Sequence, residues 1–244
     1  MRTESTNGRP SRAPRANEPR ACVTRNGASG PAFSSVGSVA ISAVLFDLTG
    51  VLTTSPWPHL IAAAGGNVEM LVGPYHEDGD HPWHRLERGE IGFGEWFEAV
   101  NALAADAGVE LDLSPLAALR DEMVVYPQVV EHVAGLRRDG LKTALVTNNV
   151  REGSKMWRSL MPVDELFDVV IDSSEVGIRK PNRAIFDLAL HQLGVTDPKS
   201  AVFLDDLDSN VAAARAIGMH GILVGDPPDA ALAQLDALLS GNAR

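Results

Sequence analysis

The sequence predicts an α/β fold: a three-layer sandwich in which helices cover both faces of a parallel sheet, interrupted by a small inserted helical domain. Three observations predict it. Five short apolar runs, at residues 43–46, 143–146, 169–171, 201–204 and 221–224, have the length and flanks of buried strands. Helical periodicities lie between several of these runs, and strands alternating with helices imply right-handed crossovers between parallel neighbours. Finally, about 95 residues separate the first run from the second, far more than a plain crossover needs.

Taken in order, residues 1–38 are rich in Ser, Arg, Pro, Gly and Asn and show no period. Such a composition cannot bury enough surface to offset the entropy of ordering, so this stretch is expected to be a disordered tail. It is Arg-rich and acid-poor, which fits an extension from an upstream start codon and leaves a targeting peptide open. It has no apolar stretch of the kind a secretory signal requires. The first strand then runs into Asp47. Residues 55–125 form the expected insertion, a small helical cap domain. In it, Phe93, Trp96, Phe97, Val100, Leu103 and Ala104 follow an i, i+3, i+4, i+7 stripe. Residues 39–54 and 126–244 form the expected core domain. There Val129, Val130, Val133 and Leu136 recur at helical spacing before Gly140. Ile185, Phe186, Leu188, Ala189 and Leu193 do so before Gly194, and Val211, Ala214 and Ile217 before Gly218. The chain shows no internal repeats.

Composition narrows the function. The net charge of −11 is unevenly spread: residues 1–40 carry six Arg and two Glu, so the remainder is strongly acidic. Phosphate contacts need Lys and Arg, so nucleic acid is not expected as a partner. No apolar run approaches the length that spans a bilayer, so no membrane is expected either. Cys22 is the single cysteine, which rules out a disulfide within the chain and suits a reducing, cytoplasmic setting.

The chemistry-bearing residues gather where strands end. The first strand stops at Asp47, the second at Thr147 followed by Asn148 and Asn149, and the fourth at Asp205 and Asp206. Ligands of open parallel sheets bind outside the carboxyl ends of the strands. Lys180 follows the third strand by nine residues. Asp47 suits a nucleophile for in-line attack on phosphorus. Asp205 and Asp206 would repel it unless a hard divalent cation such as Mg²⁺ lay between them. Thr147 and the amide of Asn148 suit donors to a phosphoryl group, and Lys180 suits a counter-charge to both nucleophile and phosphate. Each has an ordinary alternative: a turn residue, loop chemistry, a solvated lysine, or acids capping the next helix. Their convergence on one rim gives the functional reading its weight.

The stretches VLFDLTGVL, ALVTNN, VGIRKPNRAIF and VFLDDLDSNVAAARAIGM, in that order, resemble the four motifs of the haloacid dehalogenase-like superfamily over about residues 41–225. RLERGEIGFGEWFEAV resembles the helical cap of its subfamily IA, which includes the phosphatase domain of soluble epoxide hydrolases and small bacterial sugar phosphatases. The resemblance implies a Rossmann-like core and Mg²⁺-dependent transfer of phosphate from a small phosphorylated metabolite through an aspartyl-phosphate. It implies that Asp47 is the nucleophile, that Thr147 and Asn148 bind phosphate, and that Lys180 is the third-motif lysine. Asp205 and Asp206 match the acidic pair, with Asp206 as the direct metal ligand. Asn210 matches a residue supporting that loop, and the backbone carbonyl of Thr49 matches a further metal ligand. The side chain of Thr49 departs from the family, whose phosphatases usually carry Asp there as general acid and base. A hydroxyl performs neither task well, so a slow phosphatase is expected, or one biased to leaving groups that need no proton. P-type ATPases resemble the chain at this point, with Thr two residues after their nucleophile. A metal-independent carbon–halogen hydrolase and a catalytically impaired regulatory protein are the rival readings. A monomer and a homodimer both remain open.

His76, His81 and His84 sit among acids in YHEDGDHPWHRLE, but their spacing matches no ligand pattern, and the expectation is a polar loop leading into a helix, with its residues as candidates for substrate contact. Trp57 and His59 stand where the chain enters the insertion and are candidates for the pocket wall.

Overall fold

The computed structural model describes residues 39–118 and 123–241. The expected tail, with Cys22, lies outside the described residues. Five parallel strands form one sheet: β1 (Ala43–Phe46), β2 (Lys142–Thr147), β3 (Val169–Asp172), β4 (Ala201–Asp205) and β5 (His220–Leu223). Their order across the sheet is β3-β2-β1-β4-β5, so β1 is central. Phe46 pairs with Leu145 on one side and Leu204 on the other, which brings the carboxyl ends of β1, β2 and β4 level. The fifth strand lies one residue earlier than its apolar run, and Val224 continues it by donating to the Asp205 carbonyl at 2.9 Å.

Alternation along each strand divides the core in two. Val44, Phe46, Leu145, Val202 and Leu204 face α5 (Pro127–Arg138), α7 (Val163–Leu166) and α11 (Asp229–Gly241). Ala43, Leu45, Ala144, Val146 and Phe203 face α9 (Arg183–Leu193) and α10 (Asp208–Ala216). This is the three-layer sandwich that the strand and helix periods imply. Gly194 ends α9 with φ 65°, the left-handed conformation for which the sequence placed a stop there.

Between β1 and β2 the chain builds a helical insert with its own apolar cluster. It contains α1 (Trp57–Ala63), α2 (Val68–Val72), α3 (Pro82–Glu87) and α4 (Phe93–Asp106), followed by a 3₁₀ turn at Ser114–Ala118. Leu60, Leu71, Val72, Leu86, Trp96 and Val100 are its centre. The chain enters and leaves side by side: Thr54 N donates to the Val124 carbonyl and Tyr126 N to the Leu52 carbonyl, both at 2.8 Å. The stripe on α4 buries less than its spacing suggested. Trp96, Val100 and Ala104 are buried, whereas Phe93, Phe97 and Leu103 are 43%, 46% and 42% exposed. The neighbouring helices of the insert are short and cover only one line of that face.

The end of α3 is pinned to the core. The Ser173 hydroxyl donates to the Glu87 carbonyl at 2.6 Å, and Arg151 donates to the Gly89 carbonyl at 3.2 Å. A Cβ at Gly89 would lie 2.4 Å from the Ser174 carbonyl oxygen, so only glycine admits this approach. No helix among the described residues is long and apolar enough to cross a membrane.

Candidate active site

Asp47, one residue past the end of β1, is held by its own turn. Its N–H donates to the Leu204 carbonyl at 2.9 Å, and its Oδ1 accepts from Leu48 N at 2.7 Å. The chain then makes a single tight turn, with Leu52 N and Thr53 N both donating to the Leu48 carbonyl. Gly50 sits in that turn at φ 78°, and a Cβ there would lie 2.2 Å from Asp206 Oδ2. Only glycine allows the backbone beside Thr49 to come this close to the Asp206 carboxylate.

Lys180 is fully buried at the centre of the site. Its Nζ lies 2.8 Å from Asp47 Oδ1 and 2.7 Å from Asp205 Oδ2. Asn148 holds the lysine's backbone from both sides, its Nδ2 donating to the Lys180 carbonyl at 2.9 Å and its Oδ1 accepting from Lys180 N at 2.8 Å. The ammonium is therefore aimed by the loop after β2. Asp205 is fully engaged: Oδ2 accepts from Lys180 and Asn210, and Oδ1 accepts from Asn210 Nδ2 at 3.0 Å and Leu207 N at 2.9 Å. Asn210, on α10, orients Asp205, which in turn orients Lys180. Asp206 keeps more freedom, with a long 3.4 Å contact from the Ser55 hydroxyl. Thr147 is buried, and its hydroxyl lies 3.5 Å from the Asn148 carbonyl oxygen.

Carboxylate oxygens of Asp47, Asp205 and Asp206 all lie within 4.8 Å of one another, the one such group of acids, histidines or cysteines among the described residues. Burial pushes the Asp47 carboxyl well above its usual range, and Lys180 opposes that shift while Asp205 and Asp206 add to it. Burial pulls Lys180 down, but Asp205 and Asp47 outweigh it and the net shift is upward. The two short contacts decide the state: an ammonium between two carboxylates. Asp206 is pushed up to about 7, by burial first and by Asp205 second. Three carboxylates thus share one ammonium, and an all-oxygen set of this kind fits a hard divalent cation such as Mg²⁺. A bound cation would reverse the upward shifts.

Replacing Lys180 by Met is expected to destabilise the metal-free protein by about 3–5 kcal/mol, the usual cost of leaving buried charges unpaired. Urea unfolding at pH 8 in EDTA measures this, and a loss below about 1 kcal/mol would contradict the assigned pairing.

The site opens into a cavity of about 220 Å³ lined by residues of both core and insert. Asp47, Thr49, Asn148, Lys180, Asp206 and Asn210 lie on its wall, as does Trp57. Thr147 and Asp205 sit behind that wall. The cavity also uses residues that motif reading missed: Glu87, Arg179, Trp83 and Trp157. Arg179 Nε donates to Glu87 Oε2 at 2.7 Å, and its Nη1 donates to the Glu77 carbonyl, so a buried ion pair ties the segment before Lys180 to α3. Arg179 borders Lys180 and could have been flagged on that ground. Glu87 looks like any acid on a surface helix, and nothing local marks it. Among the described residues the three histidines belong to no metal-binding group. His81 caps α3 by accepting from Trp83 N at 3.2 Å, and His84 accepts from Gly79 N at 3.0 Å. Burial holds His84 down at about 4, so it is neutral at pH 7.

Comparison with known proteins bears on the family of the chain. A family model described as haloacid dehalogenase-like hydrolase matches residues 41–218. The chain is 36% identical to mouse acyl-CoA dehydrogenase family member 10 over 83% of its own length and 20% of that protein. It is 30% identical to pig bifunctional epoxide hydrolase 2 over 81% of its length and 39% of that protein, so it spans a minor part of both. It is 31% identical to phosphatase MT3486 of Mycobacterium tuberculosis, over 83% of this chain and 99% of that one. Among solved structures, a HAD-like family hydrolase from Porphyromonas gingivalis superposes with a TM-score of 0.61 at 23% identity, over 82% of this chain and 98% of that one. A HAD family enzyme from Bacteroides thetaiotaomicron, solved with magnesium and inorganic phosphate, superposes with a TM-score of 0.56 at 20% identity, over 76% and 95% of the two chains. With a matched model covering most of its length and an acidic site at the rim that the fold prescribes, the chain belongs to the haloacid dehalogenase-like hydrolases.

Proposed function

We propose that the chain transfers phosphate from a small phosphorylated metabolite to Asp47 and then to water, through an aspartyl-phosphate. The observation that carries this reading is the group of Asp47, Asp205 and Asp206 around buried Lys180. Asp47 attacks phosphorus in line with the leaving oxygen. Lys180 stabilises the nucleophile before attack and the charge that develops on the phosphoryl oxygens during it. Thr147 and Asn148 serve the phosphoryl group. The Asn148 side chain is committed to Lys180, so its backbone N–H is the donor. Asp47, Asp206 and the Thr49 carbonyl would hold Mg²⁺, with Asp205 close behind them. When bound, Mg²⁺ neutralises the acidic cluster and polarises a phosphate oxygen.

The helical insert at residues 55–125 acts as a cap that shelters the transfer from bulk water. It differs from a freely swinging lid, because Glu87 and Gly89 anchor the end of α3 to the core. Thr49 removes the usual general acid and base, so turnover is slow and the phospho-enzyme persists. The same residue favours a regulatory role as the second reading. The single cysteine and the acidic body suit a cytoplasmic setting.

Phosphate release from a panel of phosphomonoesters tests the proposal. Release that requires Mg²⁺ and stops on adding EDTA is expected. Halide release from haloacids that survives EDTA would contradict it in favour of a dehalogenase.

A further inference from the structure

We propose that the substrate is an aryl phosphate, a phosphomonoester whose leaving oxygen is carried directly on an aromatic ring. This rests on the aspartyl-phosphate reading above and joins two separate observations: the chemistry of position 49 and the walls of the cavity.

Thr49 lines the cavity beside Asp47, where a carboxylic acid would protonate the departing oxygen. No other carboxyl on the wall is placed to take over. Asp47 and Asp206 belong to the phosphoryl end, and Glu87 is bound to the Arg179 guanidinium at 2.7 Å. An alkoxide leaving group, from a sugar or alkyl phosphate, needs a proton as it departs. A phenolate does not, because the ring takes up its charge.

The walls point to the same ligand. The cavity is also lined by Trp57, Trp83 and Trp157 together with Tyr75, Leu60 and Met156. Trp57 and Tyr75 already meet edge to face, with ring centroids 5.5 Å apart. A ligand ring entering this space gains further contacts of the same kind. The volume of about 220 Å³ suits one ring and its phosphate, since a cavity of roughly 150 Å³ already accepts benzene. The other ionic side chains of the wall, Arg179 and Glu87, neutralise each other and leave no spare charge for a second anionic group. Those hydroxyls of a polyhydroxylated sugar that faced the indole rings would lack partners there, a costly placement.

The step balances without a co-reactant. An Asp47 oxygen forms a bond to phosphorus while the phosphorus–aryl oxygen bond breaks, and its electron pair leaves as phenolate, which takes a proton from solvent. Water then attacks the aspartyl-phosphate, regenerating the carboxylate and releasing inorganic phosphate.

The test is kcat/KM, which reports the first transfer, across aryl and alkyl phosphates of graded leaving-group acidity with Mg²⁺ present. Alkyl phosphates are expected at least about 10²-fold below aryl phosphates, the lower end of what a general acid supplies. Thr49→Asp is expected to narrow the gap between alkyl and aryl kcat/KM by about that factor. Trp57→Leu is expected to raise KM for phenyl phosphate about three- to tenfold and not for methyl phosphate. Equal kcat/KM for both classes in the wild type would overturn the proposal, as would a sugar phosphate that outperforms every aryl ester. A loss of alkyl kcat/KM with aryl kcat/KM retained in Tyr75→Phe would identify a phenol acting as the missing acid and would also overturn it. Failure of every ester, aryl and alkyl alike, would instead sink the phosphatase reading underneath.

Discussion

Asp47→Asn abolishes turnover: kcat is expected to fall by on the order of 10⁴–10⁶-fold, the scale seen when the nucleophile of a covalent mechanism is removed. The fold should survive. An amide oxygen at this position can still accept from Leu48 N, which the carboxylate does at 2.7 Å, and Lys180 keeps its 2.7 Å contact with Asp205. The wild-type carboxyl is pushed upward by burial and by two acidic neighbours, so its ionised form is held at a cost. A neutral amide relieves that cost. Thermal unfolding without metal should therefore occur at an unchanged or higher temperature in the variant. Loss of activity accompanied by unfolding would leave the chemical role without support, and activity within about tenfold of wild type would contradict it outright.

Thr49→Asp works in the opposite direction. In the native protein the aspartyl-phosphate must be cleaved by water that no side chain at position 49 can activate. Supplying a carboxylate there is expected to raise kcat by about 10²–10⁴-fold, the usual contribution of general acid–base catalysis. The gain appears in kcat for every substrate whose phospho-enzyme accumulates, aryl esters included, because hydrolysis of the intermediate is common to all. The new acid also joins three carboxylates already clustered at the site, so the variant should depend more steeply on Mg²⁺. An unchanged kcat for an aryl phosphate, with the protein folded and metal bound, would show that position 49 does not limit the reaction.

Much of this was legible in the chain because the information is local. Each strand is a short apolar run that ends in its own polar residues, so β1 and β4 announce Asp47 and Asp205 directly. The periods of α5, α9 and α10 faithfully mark the faces that cover the sheet, because each packs on it along one continuous stripe. The α4 stripe misled at Phe93, Phe97 and Leu103. Spacing reports that a helix has an apolar face but not how much neighbouring structure is present to cover it.

The relations that only folding creates were not legible. That Asn148 serves the Lys180 backbone, and that Asn210 and Leu207 N use up both oxygens of Asp205, follow from how loops meet. The Arg179–Glu87 pair joins residues 92 positions apart, and neither partner carries a sign of the other. The cavity wall is likewise assembled from distant places. Trp57 was visible as a residue near a motif, but Trp83 and Trp157 look in sequence like ordinary core residues of short helices.

Trapping the phosphorylated protein tests the central claim most directly. Wild-type protein would be mixed with Mg²⁺ and phenyl phosphate, quenched in acid, and its peptides examined by mass spectrometry. A phosphoryl group on Asp47, accumulating toward one per chain and absent when EDTA replaces Mg²⁺, is the predicted result. Phosphate released with no modified Asp47 at any time point, or a phosphoryl group carried by a different residue, would contradict the account.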